Sequence, residues 1–266
     1  MSRPPTPRRG LFRDKKLFLF DLDGVFYKGK ETRIRLGGSR AVEAIRGQGK
    51  KIFVLTNNST DSIATIHARL QWAGVDVKRS EILSSSLLTA EYIRDRFGPS
   101  EYFLVGEAGL QREMDRCGHV RTDSQSPACV VVGLDRKVTY AKLDRASRAV
   151  RGGAKLIATH SARLYMYTDG PAMATGPLVK AIEYASGRRA VVIGKPSPLM
   201  FRAALTRARC SAKDAVMLGD QVETDIIGAK AAGIDPVLVT TGVDADDQGE
   251  GAVATLSNVD ALAPLV

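Results

Sequence analysis

Short runs of consecutive apolar residues alternate along this chain with longer stretches of helical spacing. Leu17-Phe18-Leu19-Phe20 and Ile52-Phe53-Val54-Leu55 show no polar alternation, the pattern of strands covered on both faces in a parallel sheet. Val191-Val192-Ile193, Ala215-Val216-Met217-Leu218 and Val237-Leu238-Val239 repeat it far downstream, each before a polar or glycine-bearing turn. Helical spacing lies between at Ile63 to Ala73, stopping at Gly74, at Leu199 to Arg209, and at Asp225 to Ala232, stopping at Gly233. Such β–α alternation predicts βαβ units and a parallel sheet.

The middle of the chain carries strands of its own: Tyr102-Phe103-Leu104-Val105, Cys129-Val130-Val131-Val132 and Leu156-Ile157-Ala158-Thr159. Helical stretches accompany them at Leu87 to Phe97, Leu110 to Cys117 and Tyr140 to Val150. That is enough secondary structure for a separate core. The expected fold class is therefore α/β, a doubly wound, Rossmannoid parallel-sheet core with an inserted α/β cap domain. The core comprises residues 17–79 plus 188–266, the cap residues 80–187, and a basic Pro/Arg-rich tail residues 1–16.

Composition narrows the class further. With 266 residues, a hydrophobic fraction of 44% and a charged fraction of 26%, the chain suits an ordinary globular protein of one large or two modest domains. No apolar run approaches the roughly 18 residues that span a bilayer, and no apolar segment follows the N-terminus as in a secretory signal. Cys117, Cys129 and Cys210 are odd in number and lack His at ligand spacing, which fits reduced thiols in a cytoplasmic protein. The formal net charge of +10 comes partly from Arg3, Arg8, Arg9, Arg13, Lys15 and Lys16 before the first strand. There is no aromatic interleaving, helix-turn-helix or finger pattern, so neither nucleic acid nor a membrane is expected as partner. The excess reads as a solvated tail plus a mildly attractive field for phosphorylated substrates.

Candidate chemistry sits at four strand ends. Asp21 and Asp23 follow the first run, and side chains two apart on an extended backbone share a face. Thr56-Asn57-Asn58 follows the second run, with a hydroxyl, amides and backbone donors near a helix start. Gly194-Lys195-Pro196 follows Val191 to Ile193, and Gly219-Asp220 with Thr224-Asp225 follows Ala215 to Leu218. Parallel strands present their C-terminal ends on one edge, where open α/β sheets bind ligands, so these remote segments are expected to converge. Hard oxygen donors without His or Cys favour Mg²⁺. A carboxylate can act as nucleophile toward phosphorus, and a second one can serve as general acid and base.

These motifs resemble the haloacid dehalogenase superfamily, in its branch of NagD-like and p-nitrophenylphosphatase-like phosphatases with a large α/β cap. The resemblance runs from about Leu17 to about Val243. Phe20-Asp21-Leu22-Asp23-Gly24-Val25, Thr56-Asn57-Asn58-Ser59, Gly194-Lys195-Pro196-Ser197-Pro198 and Gly219-Asp220 through Thr224-Asp225-Ile226 carry it. Cap stretches Val105-Gly106-Glu107 and Val131-Val132-Gly133-Leu134-Asp135 add to it. The resemblance implies an Mg²⁺-dependent phosphomonoesterase working through an aspartyl-phosphate on a small phosphorylated metabolite: a sugar or polyol phosphate, phosphoglycolate or a nucleoside monophosphate. It makes Asp21 the nucleophile and Asp23 the general acid/base. Thr56, Asn57 and Lys195 hold the phosphoryl group, with Lys195 also orienting Asp21. The metal ligands are the Asp21 carboxylate, the Asp23 carbonyl and Asp220, with Asp225 acting from behind.

The departure from that branch lies in the cap. Thr159-His160-Ser161-Ala162 replaces a usual Thr-Asn-x-Asp, leaving His160 as a candidate contact to the leaving group or a satisfied strand-end residue. Tyr165 and Tyr167 read as packing residues, and His67 and His119 carry no functional expectation. Asp23 and Asp220 argue against a dehalogenase. Phosphotransfer to another alcohol uses the same residues and stays an alternative, as does a non-catalytic binding or regulatory protein on this fold. A homodimer through the cap is a further expectation.

Overall fold

The protein's structure, a computed structural model, describes residues 9–29, 34–167, 170–244 and 251–266. Arg3 and Arg8 of the tail and the side chain of Tyr167 lie outside the described residues.

Six parallel strands form the core sheet. In spatial order they are Ala254–Leu256, Asp235–Val239, Ala215–Gly219, Leu17–Phe20, Lys51–Thr56 and Ile82–Ser84. From Leu17–Phe20 the chain winds outward one way, then returns to the centre at Ala215–Gly219 and winds outward the other way. This is the doubly wound arrangement, with its reversal between those two strands. The uninterrupted apolar runs have their physical reason here: Phe18 and Phe20 pack with Val42, Ile45, Ile66 and Leu70 in one cluster, while Leu17 and Leu19 face Met217, Ile93 and Phe201 in another. Both faces are covered, so neither alternate position can be polar.

A second parallel sheet forms the cap, in the order Val191–Val192, Lys155–Ala158, Cys129–Val132, Glu101–Val105 and Val120–Arg121. The apolar cluster under Leu17 and Leu19 continues into Tyr102, Leu104, Val131 and Ile157 of this sheet, so the two units share a core.

Pairing shifts both junctions from the sequence expectation. Ile82–Ser84, inside the expected cap range 80–187, is an edge strand of the core sheet paired with Lys51–Thr56. Val191–Val192, inside the expected core range 188–266, pairs with Lys155–Ala158 at the edge of the cap sheet. An apolar run does not say which sheet it joins. Val191 is in fact exposed, as an edge position allows.

The described end of the tail, residues 9–16, is largely exposed but anchored by Phe12. Phe12 is 1% exposed, and its N–H donates to the Leu265 carbonyl at 2.7 Å. Lys16, just before the first strand, lies 3.5 Å from Asp214. These residues sit at the N-terminal edge of the sheet, opposite Asp21. A four-residue strand spans about 13 Å, more than the Debye length of about 8 Å, so their charge acts weakly at the other edge. Among the described residues no helix is long and apolar enough to cross a membrane.

Candidate active site

Asp21 continues the ladder beyond its strand, its N–H donating to the Leu218 carbonyl at 2.8 Å. Leu22 turns into the core and is fully buried, which leaves Asp21 and Asp23 on the opposite side, both lining one cavity. The chain then reverses at Gly24, whose φ of 81° belongs to the left-handed region. A Cβ at Gly24, or at Gly242 in the loop after Asp235–Val239, would overlap the Asp220 carboxylate. Two glycines thus let two loops close around one acid. The Thr241 hydroxyl joins those loops by donating to the Gly24 carbonyl at 2.6 Å.

Lys195 is the electrostatic centre of the site. Its ammonium is buried, 2.5 Å from Asp21 Oδ1 and 2.6 Å from Asp225 Oδ1. Burial opposes its charge, yet the two carboxylates hold its pKa above the ordinary range. Lys195 reaches this position from the chain leaving the cap sheet, not from the end of a core strand. Asn57 anchors that turn, its Nδ2 donating to the Lys195 carbonyl at 2.9 Å. The Asn57 side chain is therefore engaged behind the lysine. The Thr56 hydroxyl is buried and accepts the Asn58 N–H at 3.0 Å, which leaves its own proton to donate.

One cation faces three carboxylates. Asp21, Asp220 and Asp225 are all buried, and oxygens from each lie within 4.8 Å of one another. Burial, partly opposed by Lys195, pushes Asp225 from 3.8 up to about 6 and also raises Asp21. Asp220 rises well above the usual carboxylate range, first through burial and then through repulsion from Asp21 and Asp225. Asp220 Oδ2 accepts the Val243 N–H at 2.8 Å, but Oδ1 is buried with no partner. Asp225 has both oxygens engaged, Oδ1 by Lys195 and Oδ2 by the Gln221 N–H at 3.2 Å. It belongs to a π-helical turn, Val222–Ile226, preceding the short helix Ile227–Ala231. An orphan buried oxygen and surplus negative charge are what a hard divalent cation would satisfy, with Asp21 and Asp220 facing it and Asp225 turned to the lysine.

The cavity above has a volume of about 440 Å³. Its floor is Asp21, Asp23, Thr56, Lys195 and Asp220; its roof is Leu134, Ala162, Leu164, Tyr165 and Ala174 from the cap, with His160. Lys28 and Ile34 of a small antiparallel hairpin close another side. Tyr165, expected as packing, is half-buried and lines this cavity. No described cap residue lining the cavity carries a charge.

His160 is internally satisfied. Nδ1 accepts the Ala162 N–H at 3.3 Å, which places the proton on Nε2, 2.9 Å from the Thr175 hydroxyl. Burial, and then the Lys195 charge, lower its pKa from 6.5 to about 4. His160 is therefore expected to stay neutral across pH 5–8, and imidazole resonances followed by NMR should titrate near 4. The sign for stability follows: as pH falls below 6.5 the unfolded chain takes up a proton that the fold refuses, so this residue destabilises the fold down to about pH 4. A midpoint near 6.5 would mean that His160 is open to solvent.

Sequence reasoning passed over the Thr241-Gly242-Val243 turn, although it too follows a core strand end. Ser59 and Leu134 fell within motif stretches but carried no role of their own there, and they meet only through the fold.

Two family models match the chain. One, described as haloacid dehalogenase-like hydrolase, covers residues 18–120, and a second, HAD-hydrolase-like, covers residues 192–263. The chain is 32% identical to an acid sugar phosphatase of Staphylococcus saprophyticus over 90% of this chain and 91% of that one. It is 34% identical to the sugar-phosphatase AraL of Bacillus subtilis, over 84% of this chain and 82% of that one. Among solved structures, p-nitrophenyl phosphatase from Archaeoglobus fulgidus superposes with a TM-score of 0.88 at 33% identity, covering 95% of this chain and 100% of the other.

Proposed function

The chain belongs to the haloacid dehalogenase-like hydrolases, as a phosphatase of their NagD-like and p-nitrophenyl phosphatase branch, and from that premise we propose that it hydrolyses small sugar or polyol phosphates with Mg²⁺ through a phosphorylated Asp21. The observation that carries this reading is the buried Asp21–Lys195–Asp225 chain beside an unpartnered Asp220 oxygen, on the floor of a cavity that the cap roofs with uncharged groups.

Asp21, which lines the cavity, forms the new O–P bond as the bond from phosphorus to the leaving oxygen breaks. Asp23 gives its proton to that leaving oxygen, then takes one from the water that hydrolyses the aspartyl-phosphate and regenerates Asp21. Lys195 favours the ionised form of Asp21 against the burial that opposes it, and Asp225 fixes the ammonium from the other side. The Thr56 hydroxyl donates to the phosphoryl group, joined by the Asn57 backbone N–H, since the Asn57 amide is bound to the Lys195 carbonyl. The Asp21 and Asp220 carboxylates, with the Asp23 carbonyl, would hold Mg²⁺, which when bound supplies positive charge to the phosphoryl oxygens and offsets the surplus of carboxylates.

The sugar-phosphatase names of two relatives and the neutral roof support a neutral, hydroxylated leaving group. The test is phosphate release from a panel of triose, pentose and hexose phosphates, phosphoglycolate and nucleoside monophosphates, with a competing alcohol present. Neutral sugar phosphates should lead the ranking, with water as the main acceptor. A preference for the carboxylate-bearing ester, or phosphate appearing mainly on the alcohol, would overturn this reading.

A further inference from the structure

Ser59 stands two residues beyond Asn57 and is 2% exposed. Its hydroxyl oxygen accepts the N–H of Leu134 at 3.1 Å, a bond between core and cap that joins positions 75 apart in the chain. Both residues line the cavity.

The two partners are held rigidly from behind. On the core side, Asn58 Oδ1 accepts the N–H groups of Thr60 and Asp61, each at 3.0 Å. Asp61 is paired with Arg69 at 2.6 Å. On the cap side, Gly133 N–H donates to the Val105 carbonyl at 2.8 Å, and buried Asp135 accepts the Lys137 N–H at 3.0 Å and Lys142 Nζ at 2.5 Å. A second seat lies alongside, where Gly109 packs so closely on the Thr60 carbonyl that a Cβ there would overlap it. The distance from Thr56 to Leu134 is thus set by a short, fully braced path and not by loose apposition of two domains.

We propose that Leu134 is the specificity-determining wall that gauges the size of the leaving group, and that Ser59 is the positioning residue that fixes its distance from the phosphoryl site. This rests on the phosphatase reading above. A branched side chain held at a set height admits or excludes a leaving group by volume, and one methylene of misfit in such a pocket is worth about 10–200-fold in kcat/KM.

The experiment compares kcat/KM for three-, four-, five- and six-carbon polyol phosphates in wild type, Leu134→Ala, Leu134→Phe and Ser59→Ala. Inhibition by inorganic phosphate reports the phosphoryl site in each. Leu134→Ala should raise the six-carbon to three-carbon ratio about tenfold, and Leu134→Phe should lower it by a similar factor. Ser59→Ala should flatten the size dependence through KM, with kcat on the three-carbon ester held within about threefold. Phosphate inhibition should be unchanged in all three. If the variants hydrolyse the series with the wild-type ratio, the gauge is wrong and the phosphatase reading stands. If the wild-type protein releases phosphate from no member of the series, both fall together. Loss of phosphate inhibition in Ser59→Ala would also overturn the assignment, since Ser59 would then act on the phosphoryl site itself.

Discussion

Replacing Asp21 by Asn should leave a folded protein with less than about a hundredth of the wild-type rate on p-nitrophenyl phosphate. The amide has nearly the carboxylate's shape, but its oxygen is uncharged and a poor nucleophile toward phosphorus. Loss of acid/base help alone costs about 10²–10⁴, and loss of the anionic nucleophile closes the covalent route itself. The fold should tolerate the change. Asn at this position still offers an oxygen to Lys195, which keeps its second partner Asp225 at 2.6 Å, and one of three crowded negative charges disappears. Circular dichroism should therefore overlay on wild type, and acid-quenched protein should carry no label from a phosphorus-labelled substrate. Substantial turnover in this variant would move the nucleophile elsewhere.

Removing divalent metal should abolish turnover, with Mg²⁺ restoring it and Ca²⁺ failing to, because the larger ion takes 6–8 oxygens in looser geometry. The same removal should appear in stability. Folded-state values for Asp21, Asp220 and Asp225 lie above ordinary carboxylates, so these groups favour the fold most where they are protonated. Their contribution is lost as pH rises; for Asp225 the window runs from 3.8 to about 6. The metal-free protein should thus be penalised by these groups at pH 7.5, and the melting increment from Mg²⁺ should be larger there than at pH 5. Asp220→Asn should raise the metal-free melting temperature at pH 7.5 and erase the increment. An increment equal to wild type in that variant would remove Asp220 from the metal site.

Local sequence spoke clearly about the chemistry and poorly about partnership. Asp21, Thr56 and Asp220 were legible because each follows directly on an apolar run, and parallel strands bring their C-terminal ends to one edge. Val191–Val192 was misplaced because its apolar residues fit either sheet, and the choice is made by Ile157 and Ala158 more than 30 positions earlier. The same limit hid the pairing of Ser59 with Leu134: each stood in a motif stretch, but their meeting depends on how two domains dock. His160 stood out by chemical type, yet its ring nitrogens are taken by Ala162 and Thr175.

The reversal at the centre of the core sheet bears on how the protein is made. Leu17–Phe20 pairs early with Lys51–Thr56, but its other neighbour, Ala215–Gly219, comes late; the adjoining Lys16 and Asp214 are 198 positions apart. At synthesis rates of about 5–20 residues per second, that side of the strand waits roughly 10–40 s for its partner. Throughout that interval the nascent chain displays an apolar strand with an open row of backbone donors and acceptors, the template on which foreign strands add. A chain broken off inside the cap keeps that template for good. Premature termination in this protein should therefore yield an aggregation-prone fragment instead of a smaller stable domain.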